Sequence, residues 1–132
     1  MKTSGLTGWH LDWAVAKSKG FKIYLDTNGF PYMHLDQVQL RAFNTSFFEK
    51  ELTRSLPLAG FSSSWQVGGP ILSEARISRT IDHSGLWIAY WTDGYTDGDA
   101  GKLCMQCDRS ELVAGLRCFV ALKLGNDVEV PK

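Results

Sequence analysis

Two short segments that alternate apolar and polar residues, each followed by a glycine turn, place the strongest limit on how this chain can fold. Phe21 to Asp26 alternates and leads into Asn28–Gly29, while Ala75 to Asp82 alternates and leads into Ser84–Gly85. A period of two followed by such a turn is typical of a β-hairpin. The chain is therefore expected to contain antiparallel sheet.

Helices are expected near both ends of the chain. Leu6 to Lys19 carries an apolar stripe, with Thr7 as N-cap and Gly20 as the stop signal. Asp108 to Leu124 begins with a capping-box pattern and is apolar nearly all round. Such a helix is deeply buried or packs on another chain, so Arg117 within it needs an acidic partner or must reach solvent.

The remaining elements complete the expected fold. Leu86 to Thr92 is the return strand of the second hairpin, and Lys102 to Cys107 is a further strand. A short helix is expected from Pro70 to Glu74. The order of elements predicts one α+β domain over residues 1–132: an antiparallel sheet of about five strands, with the N-terminal and C-terminal helices packed on one face. Residues 36–60 form a divergent, insertion-like segment, in which Val38 to Leu52 has a weak helical pattern.

Composition excludes several classes of function. The 132 residues include 14 Lys and Arg against 14 Asp and Glu, so the formal net charge is zero. Nucleic-acid binding is disfavoured because nothing concentrates positive charge. No stretch approaches the roughly 18 apolar residues of a membrane span. An odd number of cysteines, three, does not fit a secreted disulfide framework, so a cytoplasmic protein is expected.

Three local patterns bear a superficial likeness to metal or catalytic sites. Cys104 and Cys107 have C-x-x-C spacing, but a strand places them on opposite faces and no second ligand pair follows. The Asp93–Asp99 loop lacks the ligands of an EF-hand. No serine or cysteine lies in a nucleophile signature. We therefore expect no metal, no cofactor and no catalytic residue, and the sequence leaves open whether the protein is an enzyme.

Four short sequences in this chain resemble one family when taken together. They are Leu11–Ala16, Gly68–Leu72, Leu116–Gly125 and Val128–Pro131. In order and spacing they are similar to the NinX-like proteins of phages and prophages, a family of unknown function. The resemblance covers residues 3–26 and 65–131, and residues 27–64 depart from it. It implies a small phage-derived protein with an accessory role in phage growth, and it transfers no reaction or catalytic residue.

The expected register of the second hairpin leads to a candidate site. A two-residue loop at Ser84–Gly85 sets Ile81 opposite Ile88, and the helices are expected to cover that face. Trp87 and Trp91 then stand on the open face, where two exposed tryptophans need cover. Either the 36–60 segment or Trp65 and its loop covers them, or they form a partner surface, since tryptophan is enriched at binding hot spots. The candidate binding residues are those tryptophans and their expected neighbours: Trp87, Trp91, Trp65, Gly68, Gly69, Arg79 and Lys102.

Two kinds of function remain. The first is a non-enzymatic accessory module that binds a macromolecular partner, a host or phage protein, with a homodimer through the 110–124 helix as a further option. The alternative is a small-molecule or nucleotide-binding protein that uses the Trp65–Pro70 loop and the open sheet face, with or without enzymatic activity.

Overall fold

A computed structural model describes residues 1–36, 38–39, 53–92 and 103–131. A short 3₁₀ helix at Thr3–Gly5 precedes the α-helices, which are α1 (Gly8–Ser18), α2 (Trp65–Glu74) and α3 (Glu111–Leu124). The strands are β1 (Lys22–Leu25), β2 (Pro31–Asp36), β3 (Thr53–Pro57), β4 (Ser78–Ile81), β5 (Trp87–Thr92) and β6 (Leu103–Asp108).

The strands form two antiparallel sheets of three strands each, in the orders β1-β2-β3 and β4-β5-β6. The α+β class is confirmed, whereas the single sheet of about five strands is wrong. The reason lies in β3, which belongs to the segment that was expected to be an insertion. It pairs with β2 from Tyr32↔Pro57 to Asp36↔Thr53 and completes a sheet around the first hairpin.

Both hairpins have three-residue loops, so both predicted registers are wrong by one residue. A two-residue turn at Asn28–Gly29 would set Ile23 opposite His34, but Ile23 pairs with Met33. Likewise, Ile81 pairs with Trp87 instead of Ile88. Because side chains alternate between the two faces of a sheet, a shift of one residue moves every side chain of a strand to the opposite face relative to its neighbour.

An aspartate before each loop explains the extra residue. The Oδ1 atom of Asp26 accepts hydrogen bonds from the backbone N–H groups of Asn28 and Phe30, both at 2.8 Å. Asp82 does the same for Ser84 and Leu86, at 2.8 and 3.0 Å. The third loop residue in each case is a glycine with φ near +85°, as a type I turn with a glycine bulge requires.

Helix α3 lies at the centre of the core. Nine of its residues are buried, and it packs against α1, α2 and the second sheet. Leu72 of α2 approaches α3 at Gly115, where a Cβ atom would lie only 2.5 Å from a Leu72 methyl group. The helices therefore meet at a glycine, and the apolar character of α3 is accounted for within one chain without a second copy.

The buried arginine of α3 has an acidic partner, which is the first of the two alternatives that the sequence left open. Arg117 donates from Nη1 to a carboxylate oxygen of Asp108 at 3.1 Å and to the carbonyl of Cys107 at 3.0 Å. Its Nε donates to the carbonyl of Leu6 at 2.8 Å. These contacts join α3 to the end of β6 and to the N-terminal turn, so Arg117 is structural.

Several sequence predictions fall at or beyond the limits of the described residues. Val38 and Gln39 are helical, but the rest of the Val38–Leu52 prediction lies outside these residues, as do Lys102 and the Asp93–Gly101 loop. The helix expected at Pro70 begins five residues earlier, at Trp65. Among the described helices, none has both the length and the apolar character needed to cross a membrane.

Candidate functional site

Trp87 and Trp91 lie on the face of the second sheet that the helices cover. They share this face with Ala89, which is fully buried, and both indoles are half-buried against the core. The prediction that they stand on the open face is wrong. The three-residue loop is the physical reason, because its register exchanges the two faces of β5 relative to β4.

Ile88, which was expected on the covered face, lies on the open face instead. Ser78, Tyr90 and Met105 form one cross-strand row there, and Thr80, Ile88 and Cys107 form the next. The Met105 and Cys107 side chains are exposed. The open face is therefore of mixed polarity and has a tyrosine in place of two tryptophans.

Four of the predicted site residues do come together, at the junction of α2, the edge strand β4 and the start of α3. The Trp65 indole, 48% exposed, lies at the first position of α2. The guanidinium carbon of Arg79 is 5.7 Å from the centroid of that ring, within the range of a cation–π contact. Gly68 and Gly69 lie in the same helix, one turn further along.

Two hydrogen bonds fix the position of the arginine. The Nε atom of Arg79 donates to Oε1 of Glu111 at 3.0 Å, and Nη1 donates to the carbonyl of Ile77 at 3.1 Å. Both members of the ion pair are partly buried, which limits the screening of their attraction by solvent. The side chain of Ile81, on the same face of β4, is 50% exposed. We refer to Trp65, Arg79, Ile81 and Glu111 as the Trp65 surface.

The two glycines serve packing rather than anion binding. A Cβ atom at position 68 would collide with the carbonyl oxygen of Phe61, so only glycine allows α2 to approach that backbone. A Cβ atom at position 69 would lie 3.0 Å from the Trp65 ring. The N–H of Gly68 donates to the Ser64 carbonyl at 2.8 Å within the helix. The predicted Trp65–Pro70 loop is thus a helical turn, which offers no glycine-loop anion cradle.

A groove of about 380 Å³ lies beside another face of α2. Its described lining mixes apolar and polar residues, with Phe61 and Ile71 buried and Val38 exposed: Lys19, Phe21, Val38, Gln39, Phe61, Gln66, Val67, Pro70, Ile71 and Glu74. The Lys19 Nζ atom lies 3.7 Å from Oε2 of Glu74, so the two side chains form an ion pair. Pro70 has no N–H, so the helical partner of the Gln66 carbonyl is missing in this wall.

Among the described residues, the carboxyl groups of Asp12 and Asp82 have shifted pKa values, and both accept hydrogen bonds within the fold. Burial raises the pKa of Asp12, against the opposing effect of the Ser62 N–H that donates to it at 2.7 Å. The Ser84 hydroxyl and the loop N–H groups lower the pKa of Asp82. No group of three His, Cys, Asp or Glu side chains is placed to hold a metal ion within the described part of the chain.

Sequence reasoning missed one polar constellation, on the solvent face of the first sheet. The rings of Tyr24 and Tyr32 stack across the strands, and the His34 Nδ1 atom lies 2.8 Å from the Ser55 hydroxyl. The alternation of β1 placed Tyr24 on this face correctly. Its cross-strand neighbours Tyr32, His34 and Ser55 were not identified, because the predicted register was wrong and β3 was not predicted.

Comparison with family models identifies the family of this chain. The family described as Bacteriophage P22, NinX matches the chain over residues 2–123. A search of curated proteins found no match. The matched range includes all the described helices and strands except the final residue of α3.

Proposed function

Because the chain belongs to the phage P22 NinX family, we propose that this phage-derived protein is a non-enzymatic accessory module, and that its Trp65 surface binds a protein partner. The observation that carries the proposal is the Trp65 indole, half-exposed yet held in place by Arg79 and by its own helix. The family supports the phage origin, while the binding role is argued from the geometry of this surface.

The Trp65 surface has the composition and rigidity of a binding hot spot. Tryptophan and arginine are enriched at such positions, where a few residues supply most of the binding energy. The Glu111 ion pair holds Arg79 over the ring, so little side-chain freedom would be lost when a partner docks. Ile81 adds exposed apolar area beside these residues, and β4 is an edge strand of its sheet.

Trp87 and Trp91 are not part of this proposed surface. Both residues are partly buried and pack against the core, so we assign them to packing rather than to partner binding. Lys102 lies outside the described residues and receives no role. We place the protein in the bacterial cytoplasm, in line with its phage family and its odd number of cysteines.

Affinity capture tests the proposal. The tagged wild-type chain, Trp65→Ala and Arg79→Ala are each used to capture proteins from bacteria infected by a phage that carries the gene. We expect a discrete protein to be retained by the wild type and lost from both variants. Trp9→Ala is the matched control, since Trp9 is an exposed tryptophan on α1, and it should retain the same protein. Equal capture by Trp65→Ala and wild type would overturn the proposal.

A small-molecule function is the second candidate, and the groove beside α2 favours it. A volume of about 380 Å³ is within the range of small-ligand pockets, and the lining combines the ion pair of Lys19 and Glu74 with apolar residues. A thermal-shift panel of nucleotides and metabolites tests it, because a ligand that binds the native state raises the melting temperature. Val67 lines the groove, so Val67→Glu should abolish any ligand-dependent rise in melting temperature. If this variant still captures the protein partner, the two functions are separate.

A further inference from the structure

We propose that the solvent face of the first sheet binds an extended, proline-rich peptide. This tyrosine face consists of the residues that point away from the core on the three strands: Lys22, Tyr24, Tyr32, His34, Ser55 and Pro57. It is a different surface from the Trp65 surface and is built on different elements. The two proposals can therefore succeed or fail separately.

The two tyrosines form a fixed aromatic platform. They are direct cross-strand neighbours, with ring centroids 5.8 Å apart and planes inclined by 16°. On the opposite face of the same two strands, Ile23 pairs with Met33. Met33 lies in the core and Ile23 packs against it, and this packing holds the strands in register. The Tyr24 side chain is nevertheless 41% exposed. Stacked rings on a sheet offer a rigid apolar surface, which suits a ligand that is itself rigid.

Hydrogen-bond donors surround the platform. Among the described residues, neither tyrosine hydroxyl has a hydrogen-bond partner, so both are free to donate to a ligand. His34 and Ser55 lie in the next cross-strand row and are already paired with each other at 2.8 Å. This hydrogen bond is exposed, and it leaves the second ring nitrogen of His34 and the remaining hydrogen-bonding capacity of the Ser55 hydroxyl for a ligand. A donor-rich surface requires a ligand that is rich in acceptors.

A polyproline II segment fits this combination of properties. Its prolines have no N–H groups, its carbonyl oxygens have no internal partners, and its rings pack on aromatic side chains. Its backbone is already extended, so little conformational entropy is lost on binding.

Charge argues against a polyanion on this face. Lys22 is the described cation of the tyrosine face, and Asp36 lies at the far end of the same face of β2. The two charges cancel, and a single-stranded nucleic acid would require a positive groove to follow its phosphates. An uncharged peptide is therefore the better complement.

Binding of decaproline to the full chain tests the proposal, with isothermal calorimetry and amide NMR shifts as readouts. We expect saturable binding, with shifts concentrated in β1, β2 and β3. Tyr24→Ala and Tyr32→Ala should each weaken binding at least tenfold, while Tyr24→Phe, which keeps the ring and removes the hydroxyl, should weaken it less. Trp65→Ala should leave the affinity unchanged, because that residue belongs to the other surface.

Controls keep each outcome decisive. A Gly/Ser decapeptide should not bind, and circular dichroism should show that the tyrosine variants remain folded. The proposal is overturned if decaproline causes no saturable shifts, if the shifts persist in Tyr24→Ala, or if a ten-residue oligothymidine binds this face while decaproline does not. None of these results bears on capture through Trp65.

Discussion

Replacing Trp87 with alanine should destabilise the protein far more than replacing Ile81, although a two-residue hairpin loop predicts the reverse. The two residues are cross-strand neighbours on the same face of the second sheet. Trp87 packs against the buried cluster beneath α3, whereas Ile81 at the end of the edge strand is 50% exposed. The difference in stability between Trp87→Ala and Ile81→Ala therefore tests the register of the hairpin.

The size of the difference follows from burial. Truncation of a fully buried tryptophan costs about 3–5 kcal/mol and truncation of a buried isoleucine about 2–5 kcal/mol. Trp87 is half-buried, so we expect a loss of about 2–3 kcal/mol. Ile81 keeps half its surface in water in the folded state, so we expect about 1 kcal/mol.

Urea denaturation of the wild type and of the two variants measures both losses, with Trp91→Ala as a second reporter for the covered face. The m-values should agree, so that midpoints can be compared directly. A larger loss for Ile81→Ala than for Trp87→Ala would refute the three-residue loop and restore the tryptophans to the open face.

Three further predictions concern packing, backbone conformation and acid stability. Gly115→Ala should lower stability by about 1–3 kcal/mol through collision with Leu72, and in a Leu72→Ala background the same change should be neutral or stabilising, as urea titration of both pairs would show. Arg76→Gly should raise stability by about 0.5–1 kcal/mol, because Arg76 has φ +58° at the end of α2; an unchanged or lower melting temperature would contradict this. The lowered pKa of Asp82 adds stability that is complete above the ordinary aspartate pKa and is lost as the pH falls through the lowered value. Ser84→Ala should raise that pKa in an NMR titration, and no change would refute the role of the hydroxyl.

Local sequence signals predicted most of the elements of the fold, because these elements depend on short-range chemistry. Helix α1 ends with Gly20 just beyond it, as predicted. The predicted start of α3 at Asp108 is wrong, because Asp108 ends β6 and the Ser110 hydroxyl caps the helix by accepting from the Val113 N–H at 3.2 Å. Of the two alternatives that the sequence left for Arg117, an acidic partner or a route to solvent, the structure shows the acidic partner, Asp108.

The errors came from register and from pairing at a distance. Asn28–Gly29 and Ser84–Gly85 were interpreted as two-residue turns, and the aspartate two positions before the Asn or Ser was overlooked. That aspartate caps the loop N–H groups and adds a third loop residue. The pairing of β3 with β2 across residues 37–52 carries no local sequence signature, so the sequence does not distinguish two sheets from one.

In the candidate site too, residue type was predictable from the sequence, whereas contacts between distant elements were not. Trp65, Gly69 and Arg79 were selected for their residue types, and the structure brings them together. Glu111, the ion-pair partner of Arg79, was missed because the link between β4 and the start of α3 depends on tertiary packing. The tyrosine face was missed because its cross-strand pairs depend on the register.

Site-specific photo-crosslinking in phage-infected bacteria tests the central claim, that Trp65 marks the partner-binding surface, most directly. A photoreactive phenylalanine analogue replaces Trp65 in one strain and Trp9, an exposed tryptophan on α1, in another. The account predicts a discrete crosslinked protein from position 65 and none from position 9, and predicts that Arg79→Ala abolishes the crosslink. A discrete product from position 9 with none from position 65 would contradict it.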